Sequence, residues 1–244
     1  MRHKLTEREF EFCFNVEFHK RYSNALVGIP SLPSLIEEGL LGYDVEFRLK
    51  DGRSLFLQHK RSNFVSSPKG KYSYIYDLYG GPYYYFNLRR LNRSSQHNLL
   101  HDLRQSEQAA YYSTPLFWER NVLIQHAANE TVMGNSVFFD PLDVGSIVDF
   151  DLHKISYNQE GTSAAFHSEE KEIINIFEFK VLSNRLPKIK LDDTYFSNLL
   201  SILQKGLASV FDAKRIPKEY LELPTIYQCI YLIEEFYELQ WFIF

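Results

Sequence analysis

The stretch GYDVEFRLKDGRSLFLQHK, residues 42–60, constrains the fold more than any other part of the chain. Val45, Phe47 and Leu49 alternate with polar residues, Leu55 and Leu57 do the same, and KDGR lies between them. Period-two alternation around a Gly-bearing turn predicts a β-hairpin with one buried face. Directly opposed residues of an antiparallel pair point the same way, so the apolar residues choose the register. Pairing Leu49 with Leu55 and Phe47 with Leu57 matches apolar with apolar and leaves a three-residue loop, Asp51-Gly52-Arg53. That register places Asp44 opposite Lys60 and Glu46 opposite Gln58, on the other face. A slip of one residue would bury polar groups and is disfavoured.

An Asp beside an amide oxygen offers hard ligands suited to Mg²⁺ or Mn²⁺, with Asp44 as the main ligand and Gln58 as the weaker one. An adjacent Lys60 can orient or deprotonate a water and stabilise charge developing on a phosphate. A carboxylate from a packed helix would complete the set. TEREFEFCFNVEFHKRY, residues 6–22, predicts that helix: Thr6 and Glu9 form a capping box, and Phe10, Cys13, Phe14, Glu17 and Phe18 fall on one helical stripe. Residues 10, 12, 14, 16 and 18 also alternate as in a strand, but the capping box and the length favour a helix. Glu17, inside the stripe, is the first candidate, and Glu11 at its edge is the second. The bland alternatives are an exposed cross-strand salt bridge for Asp44 and Lys60, and a Glu17 side chain that reaches past the stripe to water. His59 falls on the apolar face and is expected to be a satisfied core histidine.

A helical Glu, an Asp at the start of one strand and apolar-Gln-x-Lys at the end of the next resemble the restriction-endonuclease-like PD-(D/E)xK superfamily. The Gln form, here Gln58-His59-Lys60 within LFLQHK, is similar to that of Mrr-like restriction enzymes and several nuclease effectors of bacterial anti-phage systems. The likeness covers roughly residues 6–120, with Gln58 in place of the usual acidic ligand and His59 at a commonly apolar position. It implies an αβββαβ core completed by a helix over 94–109 and a strand over 110–117. It also implies a Mg²⁺- or Mn²⁺-dependent DNA endonuclease in restriction or defence, with Asp44, Gln58, Lys60 and Glu17 or Glu11 as its catalytic residues.

The charge distribution accords with a polyanionic partner in one region only. The net charge is −4, yet residues 44–104 hold 11 Lys/Arg against 5 Asp/Glu, while residues 105–244 hold 11 against 20. A basic island of this kind steers a polyanion locally. Arg61, Arg89, Arg90 and Arg93, interleaved with Tyr83, Tyr84, Tyr85 and Phe86, are candidates for phosphate contact and base stacking. The alternative is a solvated face above a Tyr-rich core. His97 and His101 are spaced i, i+4 but lack a third ligand, so no metal role is expected.

The remaining signals place the hairpin in a mixed α/β fold. Residues 61–87 show no clear periodicity, SVFFDP and VDFDLHKISY are strand candidates, and three apolar helical patterns follow residue 168. These are EEKEIINIFEFKVL, YFSNLLSILQKGLASVF and IYQCIYLIEEFYELQWFIF. The expectation is a restriction-like core over 1–150 and a mostly helical extension or assembly region over 151–244. Its final helix would bury its apolar face in the core, in a homo-oligomer or against a partner subunit. Cys13 and Cys229 lack CxxC spacing and read as reduced thiols. No run approaches the roughly 18 apolar residues of a membrane span, and MRHKLTEREF has no signal-peptide apolar region, so a soluble cytoplasmic protein without membrane partners is expected. Two rival functions remain: a non-catalytic nucleic-acid-binding or assembly module that keeps the nuclease fold, and a protein-interaction subunit.

Overall fold

The computed structural model describes residues 4–50, 54–68, 73–106, 108–167, 171–178 and 180–182, with scattered positions between 197 and 229. Helix α1 spans Glu7–Tyr22 and starts as its sequence dictates, since the Thr6 side chain accepts from the Glu9 N–H and the Glu9 carboxylate accepts from the Thr6 N–H. A second capping box, Ser34 with Glu37, starts a short helix, α2 (Leu35–Leu41), which ends on Gly42 in the left-handed conformation.

Strands β1 (Val45–Arg48) and β2 (Ser54–His59) form the expected hairpin, in a register two residues away from the expected one. Val45 faces Leu57 and Phe47 faces Leu55, so Glu46 faces Phe56 rather than Gln58, and Asp44, just before the strand, donates its N–H to Leu57 rather than facing Lys60. The shift keeps every side chain on its predicted face. On its other edge β1 is bridged by Leu26 to Leu49 and by Ser31 to Glu46. The turn residues 51–53 lie outside the described residues.

Residues 61–87 are more regular than their composition suggests, forming β3 (Asn63–Val65), α3 (Ser73–Tyr79) and β4 (Tyr83–Asn87). Helix α4 (Gln96–Gln105), β5 (Ala109–Pro115), α5 (Arg120–Ala128) and β6 (Ser136–Phe139) follow. Strands β7 (Lys154–Asn158), β8 (Ala164–His167), β9 (Lys171–Ile174) and β10 (Phe177–Glu178) come next. The helix expected over EEKEIINIFEFKVL is therefore corrected: β9 and β10 occupy that stretch, because tertiary pairing with β8 and β6 overrides the local helical pattern. The two later helical patterns fall largely outside the described residues.

The fold is α/β. One mixed five-stranded sheet has the order β1-β2-β5-β6-β10, with β2 parallel to β5; a second, antiparallel sheet has the order β3-β4-β7-β8-β9. Every residue of β2 is buried, because both of its faces are covered. Phe10, Phe14 and Phe18 of α1 pack with Val45, Phe47, Leu55 and Leu57 on one side. On the other, Phe56, Ala110, Tyr112 and Phe139 meet Leu100 and Leu103 of α4 and Tyr84, Phe86, Ile155 and Tyr157 of the second sheet. Burying each large apolar side chain contributes on the order of 1.5–3 kcal/mol, so these two cores hold the hairpin from both sides. Among the described residues no helix is long and apolar enough to cross a membrane.

Gly42 links α2 to the hairpin at φ +81°, and a Cβ there would meet Leu99 Cβ at 2.6 Å and the Leu100 backbone N at 2.7 Å. Gly42→Ala is expected to cost at least about 2 kcal/mol, from left-handed strain plus overpacking. Urea denaturation checks this; an unchanged midpoint would contradict the packing of α2 against α4.

Candidate active site

The carboxyl end of β2 and the start of β1 form an edge bounded by the first turns of α1 and by α2. Asp44 is buried there, and its backbone N–H donates to the Leu57 carbonyl at 2.8 Å. Its Oδ2 accepts the His59 backbone N–H at 2.6 Å, a ladder donor for which β1 offers no carbonyl. The side chain thereby closes the hairpin and is fixed in place. Lys60 is anchored on the other strand, its N–H donating to the Ser113 carbonyl at 2.8 Å, and its side chain is buried as well. Among the described residues no carboxylate pairs with the Lys60 ammonium within salt-bridge distance; it acts on Asp44 and Glu38 through its field.

Glu11 joins this edge. Its carboxyl is pushed up to about 7, first by burial and then by the charges of Asp44 and Glu38. Asp44 is likewise pushed up to about 7, by burial above all and further by Glu7 and Glu38, with Lys60 and the His59 N–H opposing. Glu38 is raised mainly by burial, against the guanidinium groups of Arg8 and Arg89. Glu7 and Glu38 thus act on Asp44 through their charge, and Asp44 acts in the same way on Glu11.

Glu17 does not reach this edge, which corrects the first choice made from sequence. Its Oε2 accepts the backbone N–H groups of Val132 and Met133 at 2.6 and 3.2 Å, capping the 3₁₀ turn Met133–Asn135, and its Oε1 pairs with Arg21 at 3.0 Å. An acid in the apolar stripe was indeed there for a reason, but the reason is a helix cap. His59 is a core histidine as expected, though only its Nε2 finds a partner and its buried Nδ1 has none. It packs on Phe10 and Phe14, its Nε2 lies 3.1 Å from Asn15 Oδ1, and burial pushes it down to about 3, so it stays neutral.

Of the basic residues, Arg61 and Arg89 border the acidic edge: the Arg61 backbone N–H reaches Glu7 at 3.4 Å, and Arg89 acts on Glu38. Arg90 and Arg93 sit on the exposed turn between β4 and α4. The aromatic run is not a stacking surface. Tyr83, Tyr84 and Phe86 are buried, and Lys154 covers the Tyr85 ring at 4.1 Å. His97 Nδ1 accepts from the Tyr112 hydroxyl at 2.7 Å, and its Nε2–H donates to the Gly145 carbonyl at 2.7 Å, so it is consumed in structure.

Glu38 was missed in the sequence because α2 was missed, yet Ser34-x-x-Glu37 spells a capping box that would have placed it. Glu7 was missed because its role depends on where the start of α1 docks.

The donor set fits a hard divalent cation in one specific respect. The Gln58 side-chain nitrogen is buried with no hydrogen-bond partner. A half-turn of the amide puts its carbonyl oxygen in the same place, which is the form a cation needs. Among the described residues no three His, Cys, Asp or Glu side chains form a ready-made metal cluster. Mg²⁺, which keeps several waters, needs only one or two carboxylates. No family model, curated protein or solved structure matches the chain.

Two outcomes follow from this electrostatics. Glu17→Ala leaves two buried N–H groups unpaired and is expected to cost about 1–3 kcal/mol in chemical denaturation, with Glu17→Gln recovering part of the loss. Asp44 has a folded pKa raised from 3.8 to about 7, so its contribution to stability is fully present below about 3.8 and is lost as pH rises through about 7. In EDTA, Asp44→Asn is therefore expected to melt above wild type at pH 8 and close to it at pH 4. A constant difference across pH would contradict the buried position of Asp44.

Proposed function

We propose that the chain is a Mg²⁺- or Mn²⁺-dependent nuclease that hydrolyses phosphodiester bonds in DNA by PD-(D/E)xK-type chemistry. The observation that carries this reading is Asp44, buried at the sheet edge within the field of Lys60 and Glu11, beside a strand whose buried Gln58 has a side-chain nitrogen without a partner. The succession α1, β1, β2, α4 and a parallel β5 supports a restriction-endonuclease-like core. Strand β3 departs from that pattern by joining the second sheet. The setting in restriction or anti-phage defence rests on the likeness of the motif alone, as does a role for the C-terminal helices in self-association.

With Oδ2 engaged by His59, Asp44 Oδ1 is the oxygen left for the ion, beside the amide oxygen of Gln58 and with Glu11 as the further carboxylate. The ion, when bound, acidifies a water and neutralises charge on the phosphate. Lys60 supplies a fixed ammonium that orients the attacking water and balances charge as the leaving oxygen departs. Arg61 and Arg89, at the rim, hold the flanking phosphates as point contacts. The rival reading, a non-catalytic module with the same fold, draws on the lack of a three-residue acid or imidazole cluster among the described residues.

The deciding experiment incubates supercoiled plasmid with the purified protein in Mg²⁺, Mn²⁺ or EDTA, beside Lys60→Ala and Asp44→Asn. Nicking or linearisation in the metal lanes alone, lost by at least about 100-fold in both variants, is the expected result. Thermal denaturation gives a readout independent of turnover. Millimolar Mg²⁺ is expected to raise the wild-type midpoint and leave Asp44→Asn unmoved. Equal cleavage by Lys60→Ala would overturn the assignment, and DNA affinity without cleavage would favour the rival.

A further inference from the structure

A groove of about 560 Å³ opens beside the acidic edge, between α1 and residues 29–33, and shares Glu11 and Glu38 with it. Its apolar walls are exposed: Phe12 at 68%, Val16 at 51%, Ile29 at 84% and Leu32 at 59%. Arg8, which also acts on Glu11 and Glu38, stands among the lining residues. An aromatic and aliphatic cleft left open to water on a folded chain marks a binding surface.

Two features select the occupant. The first is continuity, since Glu11 and Glu38 belong to both groove and edge, so a strand with its phosphate at Asp44 and Lys60 extends into the groove. The second is chemistry. Duplex DNA stacks its base faces inward, so apolar walls reach them only by unstacking a step, at a cost of a few kcal/mol. An unpaired base presents a flat apolar face that stacks on an aromatic ring, at a rim where an Arg meets the phosphate. The volume lies in the range of pockets that enclose one small ligand.

We propose that this groove receives the base of an unpaired nucleotide next to the scissile phosphate, with Phe12 as the stacking surface, so that single-stranded DNA or a frayed or everted strand is the substrate. This rests on the nuclease reading for the identity of the neighbouring site. Arg8 then contacts the phosphate on the groove side of the bond that is cut.

The test measures fluorescence anisotropy of a labelled oligothymidylate and of its duplex with oligoadenylate, using the full chain with Ca²⁺ in place of Mg²⁺. Wild type is compared with Phe12→Ala, Ile29→Ala and Val16→Glu. All three positions are more than half exposed, so unchanged melting temperatures are expected. The expected result is tighter binding of the single strand, weakened at least about fivefold in each variant while duplex affinity holds. Unchanged single-strand affinity in all three variants, or a preference for duplex, would overturn the proposal. If groove variants bind normally while Mg²⁺-dependent cleavage still requires Lys60, the groove assignment falls and the nuclease reading stands. If no substrate is cut yet Phe12-dependent binding is measured, the nuclease reading falls and the groove assignment stands. Variants that dissolve a dimer in sedimentation with oligonucleotide affinity intact would assign the groove to contact between copies and overturn it.

Discussion

The hydrogen bond from the His59 N–H to the Asp44 carboxylate is the constraint on which the edge of the sheet depends. Where β1 runs out, β2 would present a buried donor with no acceptor, at a cost of about 1–3 kcal/mol. A side-chain oxygen takes the place of the missing carbonyl. Asp44 is thereby both the last rung of the ladder and an acid held at a fixed point. The result is a buried acid and a buried ammonium that feel one another without closing into a pair. Such an arrangement costs stability, and a folded chain retains it only where the surrounding structure over-determines the geometry.

That surrounding structure is β2, enclosed on both faces. Its odd-numbered residues lean on the α1 core, and its even-numbered ones on the core shared with α4 and the second sheet. The high aromatic content becomes intelligible here. Two cores meeting across one strand need large rigid side chains, and ring pairs such as Phe18 with Phe47 at 4.0 Å and Phe86 with Tyr112 at 5.7 Å fill them. Tyr112 illustrates the coupling between layers. It sits beside Gln58 in the parallel register, feels the charge of Asp44, and is tied through His97 to the loop at Gly145. The site edge is thus braced from the inside of the molecule as well as from α1.

What the sequence made legible followed from periodicity, and what it hid followed from tertiary choice. Period two gave the hairpin and its faces, because face is preserved under a shift of two residues. The register itself was not legible, since registers two residues apart put the same side chains on the same faces. Asp44, Gln58 and Lys60 therefore keep one face of the hairpin although the register differs from the expected one by two residues. Glu17 and Glu11 illustrate the opposite limit. Both are acids on one helix, and only the docking of α1 decides that Glu17 meets the Val132–Met133 backbone while Glu11 feels the charge of Asp44. Strands β9 and β10 read as helix because their pattern suits either period until β8 and β6 offer ladders to join.

Helix α1 shows how one segment can carry three surfaces at once. Positions 10, 12, 14, 16 and 18 alternate as a strand would, yet the segment is helical, and the conflict has a physical source. Residues 10, 14 and 18 form the stripe that enters the core, while residues 12 and 16 form a second apolar stripe that faces water. Between these lies a third line, Glu7 and Glu11, one turn apart and turned toward the acidic edge. A helix with a single apolar face needs only one of these to fold. The second apolar stripe contributes nothing to the core, and in water it carries a hydration cost. Its presence directly beside the line of acids is what ties the groove to the site, since both are presented by the same rigid turn of helix.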